Sequence, residues 1–265
     1  VRWLLTTMSL IVLVSGDSRA TVPSQYHSAY QPLHRPPYRE PSAARESAPI
    51  LLDATDARVL VLQGRTLLGR RTLASMQRAI KLFHDAIRRD EHFAPVYASL
   101  ALADALLPSF WNHSPAALVA EARAAAARAL ALDSVSAPAY VALGVLDLND
   151  RSWKLAEREL RHALRLDPTD ALAHFYLSCL LGGEDRATES LDEASIAFQL
   201  DPLSNPISAN LAAAYYGVGR NEEAEGQARR TLDLDSTYST GHQELGFILL
   251  AEHHNSDAIL AFAKG

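Results

Sequence analysis

The chain has 265 residues, 48% of them hydrophobic but only 7% aromatic, with a net charge of −6. That length supports a sizeable core, and an apolar fraction rich in Ala and Leu favours helices, because both residues lose little entropy there. The acidic balance lacks the basic stripe of a nucleic-acid binder, Arg70-Arg71 being the nearest approach to one, and the single cysteine, Cys179, excludes an intrachain disulfide.

Residues 1–20 contain one early basic residue, Arg2, an apolar run over residues 3–14, and small or polar residues ending at Ser18-Arg19-Ala20. This pattern predicts either a signal peptide cleaved after Ala20 or the outer part of a transmembrane segment. Twelve apolar residues alone fall short of the about 20 that a bilayer core requires. Both readings place the rest of the chain outside the cytoplasm, exported or anchored through residues 3–14. Residues 21–49 hold six of the 13 prolines and no glycine. Proline fixes φ and removes a donor, so an extended linker is expected.

From residue 50 to 265 the chain repeats. A helix-ending Asp recurs at Asp90, Asp133, Asp167, Asp201 and Asp235, at one interval of 43 residues and three of 34. Numbering each unit so that the residue after this Asp is position 32 aligns the rest. Position 20 is small throughout: Ala79, Ala122, Ala156, Ser190, Ala224 and Ala258. Position 24 is Phe83, Ala126, Leu160, Ala194, Ala228 and Phe262, and position 27 is Ala86, Ala129, Ala163, Ala197 and Thr231. Spacings of four and three put these on one helix face. In the preceding helix, position 7 is Leu100, Leu143, Leu177, Leu211 and Leu245, and position 8 is Ala101, Gly144, Ser178, Ala212 and Gly246. Asp-Pro at 167–168 and 201–202 ends one helix, because the residue before proline is pushed out of the α region. The longer interval carries extra residues around 107–115, where Phe110 and Trp111 lie between two prolines. A longer turn whose aromatics cap the first unit is expected there.

A helix–turn–helix unit of 34 residues with small residues at these positions resembles the tetratricopeptide repeat family. The resemblance covers about residues 57–265, in six units, the last incomplete at Gly265. It implies an all-α, right-handed α-solenoid. The first unit, "VLVLQGRTLLGRRTLASMQRAIKLFHDAIRRD", with the "FAPVYASLA" that follows it, also resembles the repeat region of bacterial membrane-anchored winged-helix transcriptional regulators. Some cyclase-linked proteins carry a similar array. That resemblance implies a sensory or partner-binding module. A free secreted or periplasmic assembly factor, and the non-catalytic region of a larger signalling enzyme such as a nucleotide cyclase, are the competing roles.

In such arrays the first helices of the units line a concave groove. The candidate groove residues are Val141, Val145, Phe175, Cys179, Ala213, Tyr216, Gln243 and Phe247. They lack the Lys and Asn with which chaperone-binding members of the family clamp a terminal carboxylate. The groove is apolar and mildly aromatic, suited to an amphipathic helix or an extended apolar peptide. A protein or peptide segment is therefore the expected partner, with no nucleic acid, metal or cofactor. No H-E-x-x-H, G-x-S-x-G, Walker A or dinucleotide motif occurs. His253-His254 is the one tempting metal pair, but adjacent residues diverge on a helix, and a solvated turn is the expectation. Cys179 reads as a buried structural thiol. Catalysis is not expected.

Overall fold

A computed structural model describes residues 56–107 and 116–265; the expectations for residues 1–20 and 21–49 and for the loop at 108–115 lie outside these. The described residues form twelve α-helices. They are α1 (Ala57–Gly69), α2 (Leu73–Arg89), α3 (Ala94–Leu106), α4 (Ala116–Leu132), α5 (Ala137–Asn149), α6 (Trp153–Leu166), α7 (Ala171–Gly183), α8 (Ala187–Leu200), α9 (Asn205–Gly217), α10 (Asn221–Leu234), α11 (Ser239–Ala251) and α12 (Asn255–Phe262). No strand occurs among them.

Consecutive helices pair, α1 with α2 through α11 with α12, and each pair packs on the next. The odd-numbered helices also touch one another in succession from α1 to α11, whereas among the described residues no two even-numbered helices do. A layer whose helices stay in contact is shorter than one whose helices separate. The array therefore curves, with the odd-numbered helices on the inner, concave side.

The turns explain the period. Asp90, Asp167, Asp201 and Asp235 are the C-caps of α2, α6, α8 and α10, in extended or near-extended conformations. The backbone N–H of each still reaches the carbonyl four residues back. The side chains of Asp90, Asp133, Asp167 and Asp235 then accept from the N–H two residues on, at 2.9, 3.2, 2.9 and 2.9 Å. This local turn, which Asp makes more readily than most residues, is the wider cause of the helix stop. Proline reinforces it only at 168 and 202.

In the five pairs whose connecting turn is described, the helices are joined through a left-handed residue. Arg151, Asp185, Gly219 and His253 have φ of 57°, 60°, 77° and 63°, and Arg71 has φ 52°. After the first four of these, the next N–H bonds the carbonyl five residues back: Ser152 to Asp147, Arg186 to Leu181, Arg220 to Tyr215 and His254 to Leu249, at 2.8–3.0 Å. This is the Schellman closure. His253-His254 thus stands in a turn, both residues exposed.

The small residues at positions 20 and 27 are all buried, at 4% exposure or less. Position 24 is buried from Phe83 to Ala228, while Phe262 in the last helix is 36% exposed. Where position 24 is large, the facing residue is glycine. A Cβ on Gly144 would lie 2.7 Å from Leu160, and one on Gly246 would lie 2.6 Å from Phe262. Gly64 meets Phe83 in the same way. Position 4 supplies another recurrent device. Tyr97 Oη donates to the Glu91 carbonyl (3.0 Å), and the Nε2 atoms of His174 and His242 face the carbonyls of Pro168 (3.1 Å) and Ser236 (2.9 Å). Each bond ties a helix to the turn six residues before it.

Candidate functional site: the concave groove

The candidate groove residues occupy α5, α7, α9 and α11, in the inner layer. They do not share one environment. Val141, Val145 and Cys179 are buried, at 1%, 3% and 7% exposure. Phe175, Ala213, Tyr216, Gln243 and Phe247 are half-buried. The two valines join the main hydrophobic core, and Phe175 packs against it. The Phe175 ring stands edge-on to Tyr176, with centroids 4.8 Å apart, and Phe247 does the same to Phe262 at 5.0 Å. The accessible apolar surface is thus that of Phe175, Ala213, Tyr216 and Phe247, toward the C-terminal half of the array.

A second set of residues lies at the adjacent position on α3, α7, α9 and α11. Ser99, Tyr176, Asn210 and Glu244 share position 6 and are all buried, at 4–7% exposure. Among them Tyr176, Asn210 and Glu244 are spaced at 34 residues. Polar residues recurring at the repeat period inside apolar helices are the sequence signal for this set, which the expected groove positions do not include.

These polar groups are joined. Cys179 Sγ donates to Asn210 Oδ1 (3.3 Å), and Asn210 Nδ2 donates to Ser178 Oγ (2.9 Å). Ser178 Oγ donates to the Ser190 carbonyl, and Ser190 Oγ to that of Ser178, both at 2.9 Å. The chain of bonds runs through α7, α8 and α9. Burying such groups is tolerated because each finds a partner; among the described residues no buried side-chain N or O lacks one.

One partner comes from far away. Arg71, in the turn between α1 and α2, donates from Nη2 to Tyr176 Oη at 2.9 Å, and its guanidinium carbon lies 5.9 Å from the ring centroid. Burial works against the Arg71 charge, but Tyr176, Tyr238 and Cys179 outweigh it and hold its pKa above the usual arginine range. Burial pushes the Cys179 thiol up to about 12; Arg71 pulls it down and Glu244 adds to the rise. A thiol so placed is protonated at neutral pH and a poor nucleophile. On the same side Arg65 Nε donates to Ser99 Oγ (2.8 Å).

Among the described residues no three His, Cys, Asp or Glu side chains are grouped to hold a metal ion, and no helix is long and apolar enough to cross a membrane. Several ion pairs involve the outer-layer helices α6 and α10. Glu157 receives Arg161 (2.8 Å) and Arg186 (2.9 Å), and Glu225 receives Arg229 (2.5 Å).

No family model matches the chain, and no curated protein does either. Solved structures do. The APC/C hetero-tetramer Cut9–Hcn1 aligns over 80% of this chain and 40% of its own, with TM-score 0.63 and 17% identity. PilF of Pseudomonas aeruginosa aligns over 67% of this chain and 78% of its own, with TM-score 0.55 and 24% identity. A thermophilic TPR protein of Thermus thermophilus aligns over 77% of this chain and 99% of its own, with TM-score 0.54 and 18% identity. This chain spans less than half the length of the Cut9–Hcn1 chain it matches. Likeness at these identities concerns the fold alone, and it agrees with the helix pairs, the 34-residue turn spacing and the buried small positions. The described residues have the fold of a tetratricopeptide-repeat α-solenoid, built of six helix pairs.

Proposed function

We propose that this chain is a non-enzymatic scaffold that binds a peptide or helix of a partner protein in its concave groove. The observation that carries this reading is the half-buried apolar surface of Phe175, Ala213, Tyr216 and Phe247 on the inner layer. Aromatic residues on a concave face give contact area at small entropic cost. Gln243 beside them supplies a polar group for the backbone of an extended segment. The absence of a motif for chemistry and the protonated state of Cys179 support binding rather than catalysis.

Within that reading the chain is the sensory or partner-binding part of a membrane-linked regulator. Two features of the sequence support this role: the likeness of the first unit to the arrays of such regulators, and the apolar run at residues 3–14. On this reading the array works outside the cytoplasm, with residues 21–49 as its stalk.

Photo-crosslinking separates the groove from the outer face. A benzoylphenylalanine in place of Tyr216 should give a defined partner adduct by mass spectrometry in membrane fractions, while the same residue in place of the exposed Leu155 of α6 should not. Equal adducts from both positions would move the binding surface off the groove.

A further inference from the structure

We propose that the Arg71–Tyr176 contact is a latch that closes the groove between the first and fourth units and controls access to Cys179 and Asn210 beneath it. In a repeat array each unit touches its neighbours, so stability is a sum of local terms. Here the backbones of α1 and α2 make no contact with α7 or α8, yet a side chain from the first turn reaches a phenol 105 residues away at 2.9 Å. The contact is made by side chains alone, so it can break without disrupting a helix interface.

Three features make it a latch rather than packing. The left-handed turn aims Arg71 off the end of its helix, at φ 52°. The bond joins a charged donor to a buried phenol, and hydrogen bonds of charged groups are the stronger class. The groups near it are buried and able to hydrogen-bond: Cys179 lies within electrostatic reach of Arg71, and Asn210 accepts from the Cys179 thiol at 3.3 Å. An extended segment lying along the inner face from the fourth unit to the first has to pass the bridge. Its opening sets when the groove is available. The latch acts on the same groove as the proposed scaffold, but its test needs no partner, so the two fail separately.

Cys179 is the only cysteine in the chain, which makes the latch measurable. The rate at which a maleimide labels Cys179 in the folded, full-length protein reports the open population. Tyr176→Phe removes the bond by removing one oxygen. Arg71→Gly removes it while suiting the left-handed backbone. Both variants should label about tenfold faster than the parent, the size expected for loss of a charge-assisted bond, with unchanged helicity and with a rate only weakly dependent on low urea, as local opening requires. A purely electrostatic effect runs the other way for Arg71→Gly, because losing the cation raises the thiol pKa and slows labelling. Should Arg71→Gly lose helicity, Tyr176→Phe decides alone. Labelling of Tyr176→Phe no faster than the parent, or acceleration with the steep urea dependence of global unfolding, overturns the latch.

Discussion

Gly64 lies under the ring of Phe83 so closely that a Cβ there would come 2.3 Å from Cε1. Phe83 is fully buried and sits in the main core, so the ring has no room to retreat. Gly64→Ala should therefore destabilise the array by about 2–3 kcal/mol, the upper range for overpacking. Gly226→Ala is the opposite case. That glycine lies inside α10 with nothing within 4 Å of the added Cβ, so alanine should stabilise by about 0.5–1 kcal/mol through helix propensity. Urea denaturation of the two variants checks both signs.

The left-handed turn residues give a second prediction. Arg151 adopts φ 57° where the equivalent position in later units holds Gly219 at 77° or His253 at 63°. A side chain costs about 1 kcal/mol in this conformation. Arg151→Gly should raise stability by about 0.5 kcal/mol, once the greater freedom of glycine in the unfolded chain is deducted. A higher urea midpoint at unchanged slope is the expected result.

His174 makes stability depend on pH. Its Nε2 faces the Pro168 carbonyl at 3.1 Å and its Nδ1 faces the Glu193 carboxylate at 2.5 Å. Two acceptors require both nitrogens to carry protons. Burial alone would lower its pKa, but the bonds to Glu193 and to the Pro168 carbonyl outweigh burial, and the pKa lies above 6.5. The folded state thus holds the proton more tightly than the unfolded one. This contribution is complete below the unfolded pKa near 6.5 and is lost as pH rises through the folded pKa. Glu193→Gln should flatten the fall in melting temperature above pH 6.5, and a variant that retains the full slope would remove His174 as its source.

Asp104 works in the same direction through a different cause. Burial, with a further push from Glu121, raises its pKa to about 7. The folded state again binds the proton more tightly, so its ionisation costs stability increasingly between about pH 4 and pH 7, and the cost is complete above 7. Asp104→Asn, which is neutral at every pH, should be more stable than the parent at pH 8 by about 1–3 kcal/mol, the usual range for a buried polar group under strain. The two proteins should converge near pH 4. Melting curves at both values are the check.

The fold was legible because a repeat leaves the same marks five or six times, and the helix stop, the buried positions 20 and 27 and the position-8 gaps all stand where the common register puts them. Gly64 was not legible as one of those gaps. α2 is 17 residues long where α6, α8 and α10 are 14. That extra helical turn displaces α1 by three residues from the common numbering. The inner face was legible in part. Its apolar positions follow from the repeat register, but the face also includes position 6, where polar residues recur at 176, 210 and 244. Val141 and Val145 illustrate the other limit: periodicity assigns a face, whereas burial depends on how tightly neighbouring inner helices close. Arg71 left no local signal at all, because its partner lies three units away and a neighbour-to-neighbour repeat says nothing of contacts across the groove.

The proposed function requires that the inner face of the array bind peptide. The most direct test is to select twelve-residue peptides against the purified array by phage display and titrate the winners by calorimetry. Phe175→Glu with Tyr216→Glu, both half-buried, should weaken binding by at least about thirtyfold, as loss of aromatic anchors does, at unchanged helicity, while Leu155→Glu on the outer face should leave it unchanged. Equal affinity for the parent and the Phe175→Glu/Tyr216→Glu variant would contradict the groove as the site of binding.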